Sequence, residues 1–439
     1  MTRTRKGRRA VVAALAVAAT ALLAACSTSG GSSSPGELAI TSGPTPKGVT
    51  LTLWRSPLDT PAINKLYQAY EAATGNKLNI VSFPSNAYET TVVTKWATGT
   101  MPDILEFDPG LSQLAQLDPA QKLVDLSNLA FVKREGELAK VSGNDDGHVY
   151  AATLGPLSEY GVFYNKKVLA AAGLQPPKTY ADLASDCTVL KQKAPSVAPI
   201  FEAGGDGWPP QILAGLLYEA SANTQGAYLQ SLLTGKAKLS DSSGPFVKGV
   251  TAYNDLRTSG CFNSDANTAT VDDSAQALLQ GKAAMVAQFD TAFITQLQAD
   301  DANAANTVGF VGVSATGPTL TYTPNLTGTY YVPNTGNTTH ERAAIDFINW
   351  ITGPGYATYI KDAGVRPTLS GLATPPQVGI YADVVKAYSG GSAFLYLTDM
   401  PAATALGPLS LQVLAGQTSP QNVGNKMNLA FQQAQRQLG

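Results

Sequence analysis

Histidine and cysteine are scarce in this chain, whose 439 residues include only two histidines and three cysteines. Because they are widely scattered, we predict no zinc site and no cofactor. The segment HERAA at 340–344 begins like a zinc-protease helix, but Ala344 stands where a second histidine would be needed. A G-x-S-x-G nucleophile elbow is also missing, and only His148 and His340 offer an imidazole base. We therefore predict no catalytic residues. Scattered carboxylates leave a glycosidase pair, and with it an anchored carbohydrate-active hydrolase, as the alternative function, although nothing in the sequence places two of them together.

Long apolar runs are also missing, apart from residues 10–25, which follow a stretch with five cationic and no acidic residues. This run is shorter than a membrane-spanning helix requires and is typical of a secretory signal peptide. It ends in Leu23-Ala24-Ala25-Cys26, which resembles the lipobox of bacterial lipoproteins. The resemblance implies that residues 1–26 hold a lipoprotein signal and that the thiol of Cys26 is diacylated. The lipid would then hold the protein at the extracellular face of the bacterial cell membrane. An ordinary secretory signal with a chance cysteine is the alternative.

The chain has an excess of acidic residues once the predicted signal peptide is removed. The whole chain carries a net charge of −2, and its first 26 residues contribute five positive charges, so the remainder carries about −7. An acidic surface argues against nucleic acid or anionic lipid as the main partner. Residues 27–48 are rich in serine, glycine, proline and threonine, a composition that predicts a flexible tether.

The 413 residues after the signal exceed what one core usually organises, so we predict two domains. Strand patterns at VTLTLW (49–54), KLNIVSF (77–83) and DILEF (103–107) alternate with helical patterns at 60–75 and 88–99. This alternation predicts an α/β unit with a largely parallel sheet. Ligands of such sheets gather at the carboxyl ends of the strands.

Cys187 and Cys261 remain if Cys26 is lipidated. In an oxidising location outside the cell, two remaining thiols favour a disulfide that closes a long loop. Two buried free thiols are the alternative.

The segment GHVYAATLGPLSEYGVFYNKKVLAAAGLQPPKTYADL (147–183) resembles the extracellular solute-binding proteins of carbohydrate-type ABC importers, the wide family that includes maltose-binding protein. Two further segments agree with this resemblance. GKAAMVAQFDTAF (281–293) is similar to a strand of that family, and ERAAIDFINWITGPG (341–355) with AGVRPTL (363–369) is similar to its late helix and closing hinge. The similarity spans nearly everything after residue 49.

The resemblance implies a two-lobe, periplasmic-binding-protein-like α/β fold with crossing hinge segments and the ligand in the cleft between the lobes. The first lobe would hold 49–155 plus 328–366, and the second 156–327 plus 367–439. Such proteins capture a small polar solute by hinge closure and deliver it to an ABC permease in the membrane. We expect a monomer that binds a mono- or oligosaccharide, with polyols and other polar metabolites left open.

Sugar sites combine aromatic platforms with groups that make bidentate hydrogen bonds. By their match to family positions, we expect ligand contacts from Phe107 and Asp108 after the third strand and from Trp208 in the loop GGDGWPP. The alternatives are an N-cap role for Asp108 and packing under the next helix for Trp208. Trp54 and Arg55 follow the first strand, so one of them is expected to line the cleft.

The remaining candidates lie near the expected crossings. Glu159 and Tyr160 are at the first crossing, where Tyr160 would otherwise be hinge packing. Arg366 is at the third crossing and is expected to reach the ligand; a salt bridge between the lobes is the alternative role. Tyr330 is the last of the expected ligand contacts. Gln288–Asp290 replaces a Gly-Ser/Pro-Trp segment of the family, so Asp290 is expected to take a hydroxyl or an ammonium group there. Trp96 and Trp350 lie inside helical patterns and are expected in the core.

Overall fold

The computed structural model describes residues 45–438, apart from 57–58, 85–86, 223–226, 388–389 and 395–399. The predicted signal peptide, Cys26 and most of the predicted tether lie outside the described residues. Among the described residues, none of the helices combines the length and the apolar character that crossing a membrane requires.

The strands form two main sheets and a small hairpin. In chain order they are β1 (Thr50–Arg55), β2 (Lys77–Ser82), β3 (Ile104–Glu106), β4 (Asn144–Asp145), β5 (His148–Val149), β6 (Ala151–Thr153), β7 (Ser158–Asn165), β8 (Ala198–Ile200), β9 (Ala283–Phe289), β10 (Val308–Val311), β11 (Leu320–Thr323), β12 (Thr329–Tyr331) and β13 (Ser392–Phe394). The first sheet has the order β2-β1-β3-β12-β6. β1 runs parallel to β2 and β3, as predicted, whereas β12 runs antiparallel to β3 and β6.

The helices surround these sheets. They are α1 (Pro61–Thr74), α2 (Tyr88–Ala97), α3 (Leu111–Ala115), α4 (Pro119–Lys122), α5 (Ala130–Glu135), α6 (Lys166–Ala172), α7 (Tyr180–Lys193), α8 (Pro210–Ala222), α9 (Ala227–Leu233), α10 (Pro245–Thr258), α11 (Val271–Leu279), α12 (Asp290–Asp300), α13 (Ala304–Thr307), α14 (Thr338–Thr352), α15 (Tyr356–Ala363), α16 (Gly379–Ala387), α17 (Leu406–Leu414) and α18 (Pro420–Leu438).

Helix α1 illustrates how local sequence sets these elements. The Thr60 hydroxyl accepts a hydrogen bond from the backbone N–H of Ile63 (3.4 Å), and Pro61 occupies the first turn. Gly75 ends the helix with φ of 78°, a left-handed conformation that favours glycine. The apolar face of α1 is buried in the first core, and it consists of Ile63, Leu66, Tyr67 and Tyr70.

The second sheet has the order β13-β11-β7-β9-β8, and β10 pairs with the later part of β7. The eight residues of β7 allow both arrangements, since β11 pairs with residues 158–160 and β10 with residues 162–165. β9 pairs antiparallel with β7 on its other edge and parallel with β8. This strand β9 carries the segment that resembles the family's Gly-Lys-Ala-Ala-Met strand.

Each sheet has its own apolar core. In the first lobe, α1, α14 and α15 cover the sheet, and Trp96 is buried as predicted. In the second lobe, α7, α8, α10, α17 and α18 surround one core, and α11, α12 and α16 surround another. A disulfide joins Cys187 in α7 to Cys261 just after α10, with the two Cα atoms 5.6 Å apart. This pairing is the one that the cysteine count favoured over free thiols.

The chain passes between the two sheets three times. The first crossing lies between β6 and β7 (residues 154–157), and the second between β11 and β12 (324–328). Leu369 still packs in the first core, whereas Ile380 packs in the second. The third crossing therefore begins after Leu369, three residues beyond the boundary expected at 366.

Candidate functional site

A cavity of about 690 Å³ lies between the two lobes. Its lining combines residues of the first lobe, of the crossings and of the second lobe. The lining residues are Glu89, Asp108, Pro109, Gly110, Gln113 and Val141, then Ser158, Tyr160, Thr323, Pro324 and Asn325, then Asp206, Gly207, Trp208, Gln211, Ile212, Gly215, Ala403, Thr404, Leu406, Gly407, Pro408 and Leu411. The volume falls within the range of small-molecule sites.

Trp208 supplies a large aromatic surface to this cavity. It lies in the loop before α8, which begins at Pro210, and its side chain is half-buried. Phe289 supports the indole, with ring centroids 5.8 Å apart and planes inclined by 43°, and Tyr160 packs on the other side of Phe289 at 5.9 Å. A tryptophan held in place by a second aromatic ring is a pre-organised platform for the apolar face of a ligand.

Asp108 lies just past β3, at the carboxyl end of the strand. Its Oδ1 atom accepts the backbone N–H of Gly110 (2.8 Å), which fixes the turn that leads into α3. Burial raises the pKa of the Asp108 carboxyl, although the Gly110 bond opposes this change. One turn further, the Oε1 atom of Gln113 is buried and has no hydrogen-bond partner within the described part of the chain. A ligand hydroxyl would satisfy such an acceptor.

The crossings form another part of the wall. The Asn325 amide on the second crossing donates to the Ser158 hydroxyl on β7 (2.8 Å). Burial and the charges of Asp108 and Asp290 raise the pKa of Tyr160, so its hydroxyl stays protonated and can donate at neutral pH.

The second-lobe wall comes from two distant segments. Asp206 accepts the backbone N–H of Val271 (2.7 Å) and so holds the Trp208 loop against the start of α11. Residues 403–411, at the start of α17, form the rest of this wall. Across the cleft, the Ser112 hydroxyl in α3 donates to the Met400 carbonyl at 3.4 Å. The two lobes therefore contact each other directly beside the cavity.

Three of the ten predicted ligand residues line the cavity, namely Asp108, Tyr160 and Trp208. Trp54 and Phe107 instead lie in an apolar core with Trp96, where Trp54 packs edge-on against Phe83 at 5.4 Å. Tyr330 is fully buried in the other first-lobe core, and its hydroxyl bonds that of Tyr67 at 2.8 Å. These three side chains lie away from the cavity because each points from the sheet towards a covering helix. Trp54 and Phe107 pack with residues of α2, and Tyr330 packs with residues of α1 and α14.

Arg55 also lies away from the cavity. Its guanidinium bonds the Ser82 hydroxyl at 3.0 Å and the Asn64 amide oxygen, and it lies 3.8 Å from the Asp59 carboxylate. These partners hold the end of β1 to β2 and α1.

Glu159, Asp290 and Arg366 form a hinge network outside the cavity lining. The Arg366 Nε atom lies 3.3 Å from Glu159 Oε1, and the Glu159 backbone N–H donates to Asp290 Oδ1 at 3.0 Å. Both acidic side chains are buried, and burial together with the charge of Glu159 raises the pKa of Asp290. The salt bridge that was the alternative role for Arg366 is present, and it links the end of the first lobe, just before the third crossing, to β7 of the second lobe.

Sequence reasoning missed several lining residues, among them Gln113, Gln211, Asn325 and the segment 403–411. A local feature of the sequence could have indicated Gln113 and Asn325 as lining residues. Gln113 follows the end of β3 and Pro109, and Asn325 follows the end of β11 and Pro324. The segment 403–411 had none, because only long-range packing brings it to Trp208.

Two α/β lobes, three crossing segments and a cavity between the lobes define a two-lobe solute-binding fold. The model of a family described as bacterial extracellular solute-binding protein matches residues 56–358. The chain therefore belongs to this family, which confirms the resemblance to the solute-binding proteins of carbohydrate-type ABC importers.

Comparison with known proteins agrees with this assignment. The melibiose/raffinose/stachyose-binding protein MelE of Bacillus subtilis is 25% identical over 144 residues, a match that covers 32% of this chain and only 33% of MelE. Among solved structures, apo RafE of Streptococcus pneumoniae aligns with a TM-score of 0.71 and 19% identity over 90% of this chain and all of RafE. A chitin oligosaccharide binding protein aligns with a TM-score of 0.72 and 20% identity over 88% of this chain and 99% of that protein. These structural matches show the fold.

Proposed function

We propose that this protein is the substrate-binding component of an ABC importer, which captures a sugar in the cleft and delivers it to the permease. The ligand touches both lobes only when the lobes are closed, so its binding shifts the protein towards the closed form. The closed form is then the one that the permease recognises. Binding without chemical change is the whole activity in this proposal.

One observation carries the proposal: the cavity is lined by both lobes and by the crossings, and Trp208 offers it a supported aromatic face. Amide, hydroxyl and carboxylate groups surround this face, namely Gln113, Gln211, Ser158, Asn325 and Asp108. An apolar platform ringed by hydrogen-bonding groups matches the two surfaces of a pyranose ring. The names of the relatives support the same ligand class, since MelE is a melibiose/raffinose/stachyose-binding protein and RafE has been solved with raffinose.

A ligand screen followed by scattering tests this function. A thermal-shift panel of mono- and oligosaccharides, including raffinose and stachyose, is expected to raise the melting temperature with at least one sugar. Small-angle scattering with that sugar is expected to show a smaller radius of gyration than without it. A panel in which no sugar stabilises the protein contradicts the proposal.

The same panel distinguishes binding from hydrolysis. After prolonged incubation, chromatography is expected to recover each bound oligosaccharide intact. The appearance of shorter products would favour the anchored hydrolase over the importer component.

Anchoring through lipid at Cys26 is part of the proposal, with residues 27–48 as the tether. In a bacterial host, the wild-type chain is expected to sediment with membranes, whereas Cys26→Ser is expected to be released. Ser33→Ala serves as the control, because it changes a residue of the predicted tether without touching the lipobox or the disulfide. A Cys26→Ser variant that stays with the membrane would refute the lipid anchor.

A further inference from the structure

The charge of the cavity lining is one-sided. Glu89 and Asp108 on the first lobe and Asp206 on the second supply three carboxylates, and no described lining residue is lysine, arginine or histidine. The undescribed segments between residues 57 and 399 contain no basic residue in their sequence either. A ligand in this cleft therefore meets acidic groups from both sides.

The lining is also rich in hydrogen-bond acceptors. Asp108 and Asp206 each use one carboxylate oxygen to hold a backbone N–H, at 2.8 and 2.7 Å. Gln113 adds a buried, unpaired Oε1 atom. Carboxylates and an unpaired buried acceptor favour a ligand that is rich in donors, and the donor that a carboxylate binds most strongly is a cation.

The two first-lobe carboxylates also disfavour each other. Desolvation in the cleft and the charge of Asp108 raise the pKa of Glu89 to about 7. A positive charge placed near both groups would relieve this repulsion, whereas an anionic ligand would add to it.

We propose that the cleft selects a ligand with an ammonium group, an amino sugar or an oligosaccharide that contains one, and rejects anionic sugars. The ammonium group lies against Glu89 and Asp108, and the sugar ring lies on Trp208. This inference rests on the proposed function and narrows its substrate class.

Three β-1,4-linked tetrasaccharides that differ in the substituent at C2 provide a matched test: cellotetraose with hydroxyl, the N-acetylglucosamine tetramer and the glucosamine tetramer with ammonium. By isothermal titration calorimetry at pH 7 and low salt, the ammonium ligand is expected to bind at least about tenfold more tightly than cellotetraose. The preference is expected to shrink as salt is added, because salt screens charge. A tetragalacturonate is expected not to bind.

Matched variants assign the preference to the cleft. Glu89→Gln combined with Asp108→Asn is expected to reduce the ratio of the ammonium ligand's affinity to that of cellotetraose to about threefold or less, whatever the change in cellotetraose affinity itself. Asp362→Asn, an exposed first-lobe carboxylate in α15, removes a charge elsewhere and is expected to leave the preference intact. Thermal unfolding confirms that each variant is folded.

The outcomes separate this inference from the proposed function. Equal or weaker binding of the ammonium ligand, or a preference that survives in the double variant, overturns the inference. If raffinose or stachyose binds while all three tetrasaccharides fail, the inference falls and the proposed function stands. If no sugar of either set binds, both fall.

Discussion

Glu135 is a buried acid whose replacement should change how stability depends on pH. It ends α5 with 5% of its surface exposed, and its Oε1 atom accepts the backbone N–H of Thr153 in β6 at 3.1 Å. The Oε2 atom is buried and has no hydrogen-bond partner among the described residues. Burial raises the pKa of this carboxyl from 4.5 to about 8, against the opposing effect of the Thr153 bonds.

The size of the effect follows from this pKa. Because the folded protein holds the proton more tightly than the unfolded chain, the contribution of Glu135 to stability is fully present below pH 4.5 and is lost as the pH rises to about 8. Each pH unit in that window costs about 1.4 kcal/mol, so the loss approaches about 5 kcal/mol. Glu135→Gln keeps an oxygen for Thr153 and removes the titration, but its new NH₂ group lacks an acceptor, which costs about 1 kcal/mol.

We therefore expect Glu135→Gln to be within about 0.5 kcal/mol of wild type at pH 5, where the pH-dependent loss of wild type nearly cancels the cost of the amide, and more stable by about 2–4 kcal/mol at pH 8. Urea unfolding followed by tryptophan fluorescence measures this, since Trp54, Trp96 and Trp350 report on the first lobe. Glu137→Gln is the matched control: its carboxylate is 85% exposed beside Lys140, so its effect should stay within about 0.5 kcal/mol at both values of pH. A difference between wild type and Glu135→Gln that does not change with pH would refute the reasoning.

Three further outcomes are expected. Trp208→Ala should weaken sugar binding by about 1–3 kcal/mol in calorimetry, which is the scale of a buried aromatic contact. The control Trp350→Phe should leave the affinity unchanged. If Trp208→Ala binds sugar as tightly as wild type, Trp208 is not part of the site. Reduction of the disulfide, or Cys187→Ser with Cys261→Ser, should lower the free energy of unfolding by about 4 kcal/mol, because the bond closes a separation of 74 residues; unchanged denaturation midpoints would contradict this. Arg366→Met should destabilise the protein by about 2–3 kcal/mol in urea unfolding, because it removes the cation that faces the buried carboxylate of Glu159; a denaturation midpoint equal to that of wild type would show that the charge of Arg366 is not what matters.

Local signals in the sequence predicted the elements well. The helical pattern at 60–75 predicted α1, and the structure shows that Thr60, Pro61 and Gly75 delimit it, which are signals close together in the chain. A capping box of Thr179 and Asp182 opens α7 in the same local way. The antiparallel entry of β12 into the first sheet was not visible, since its partners lie far away in the chain. Strand pairing of this kind is decided by packing over the whole lobe.

The cleft was harder to predict than the fold. Strand ends correctly indicated which edge of the sheet faces the cavity, and Asp108 lies there. They did not indicate which side chain at each end turns inward: Trp54 and Phe107 pack under α2 instead. Sequence could not separate the acids into ligand contacts and hinge partners, because the partner that engages Glu159 is Arg366, which lies 207 residues further along the chain.

The position of β12 has a consequence for how the protein folds during and after its synthesis. This strand lies between β3 and β6 in the first sheet, yet the ribosome makes it only after the whole of β7 to β11. Until then, β3 and β6 have open edges that could pair with another chain. The first sheet therefore stays incomplete until the strands of the second lobe have been synthesised. A fragment that ends before residue 329 is expected to aggregate rather than fold.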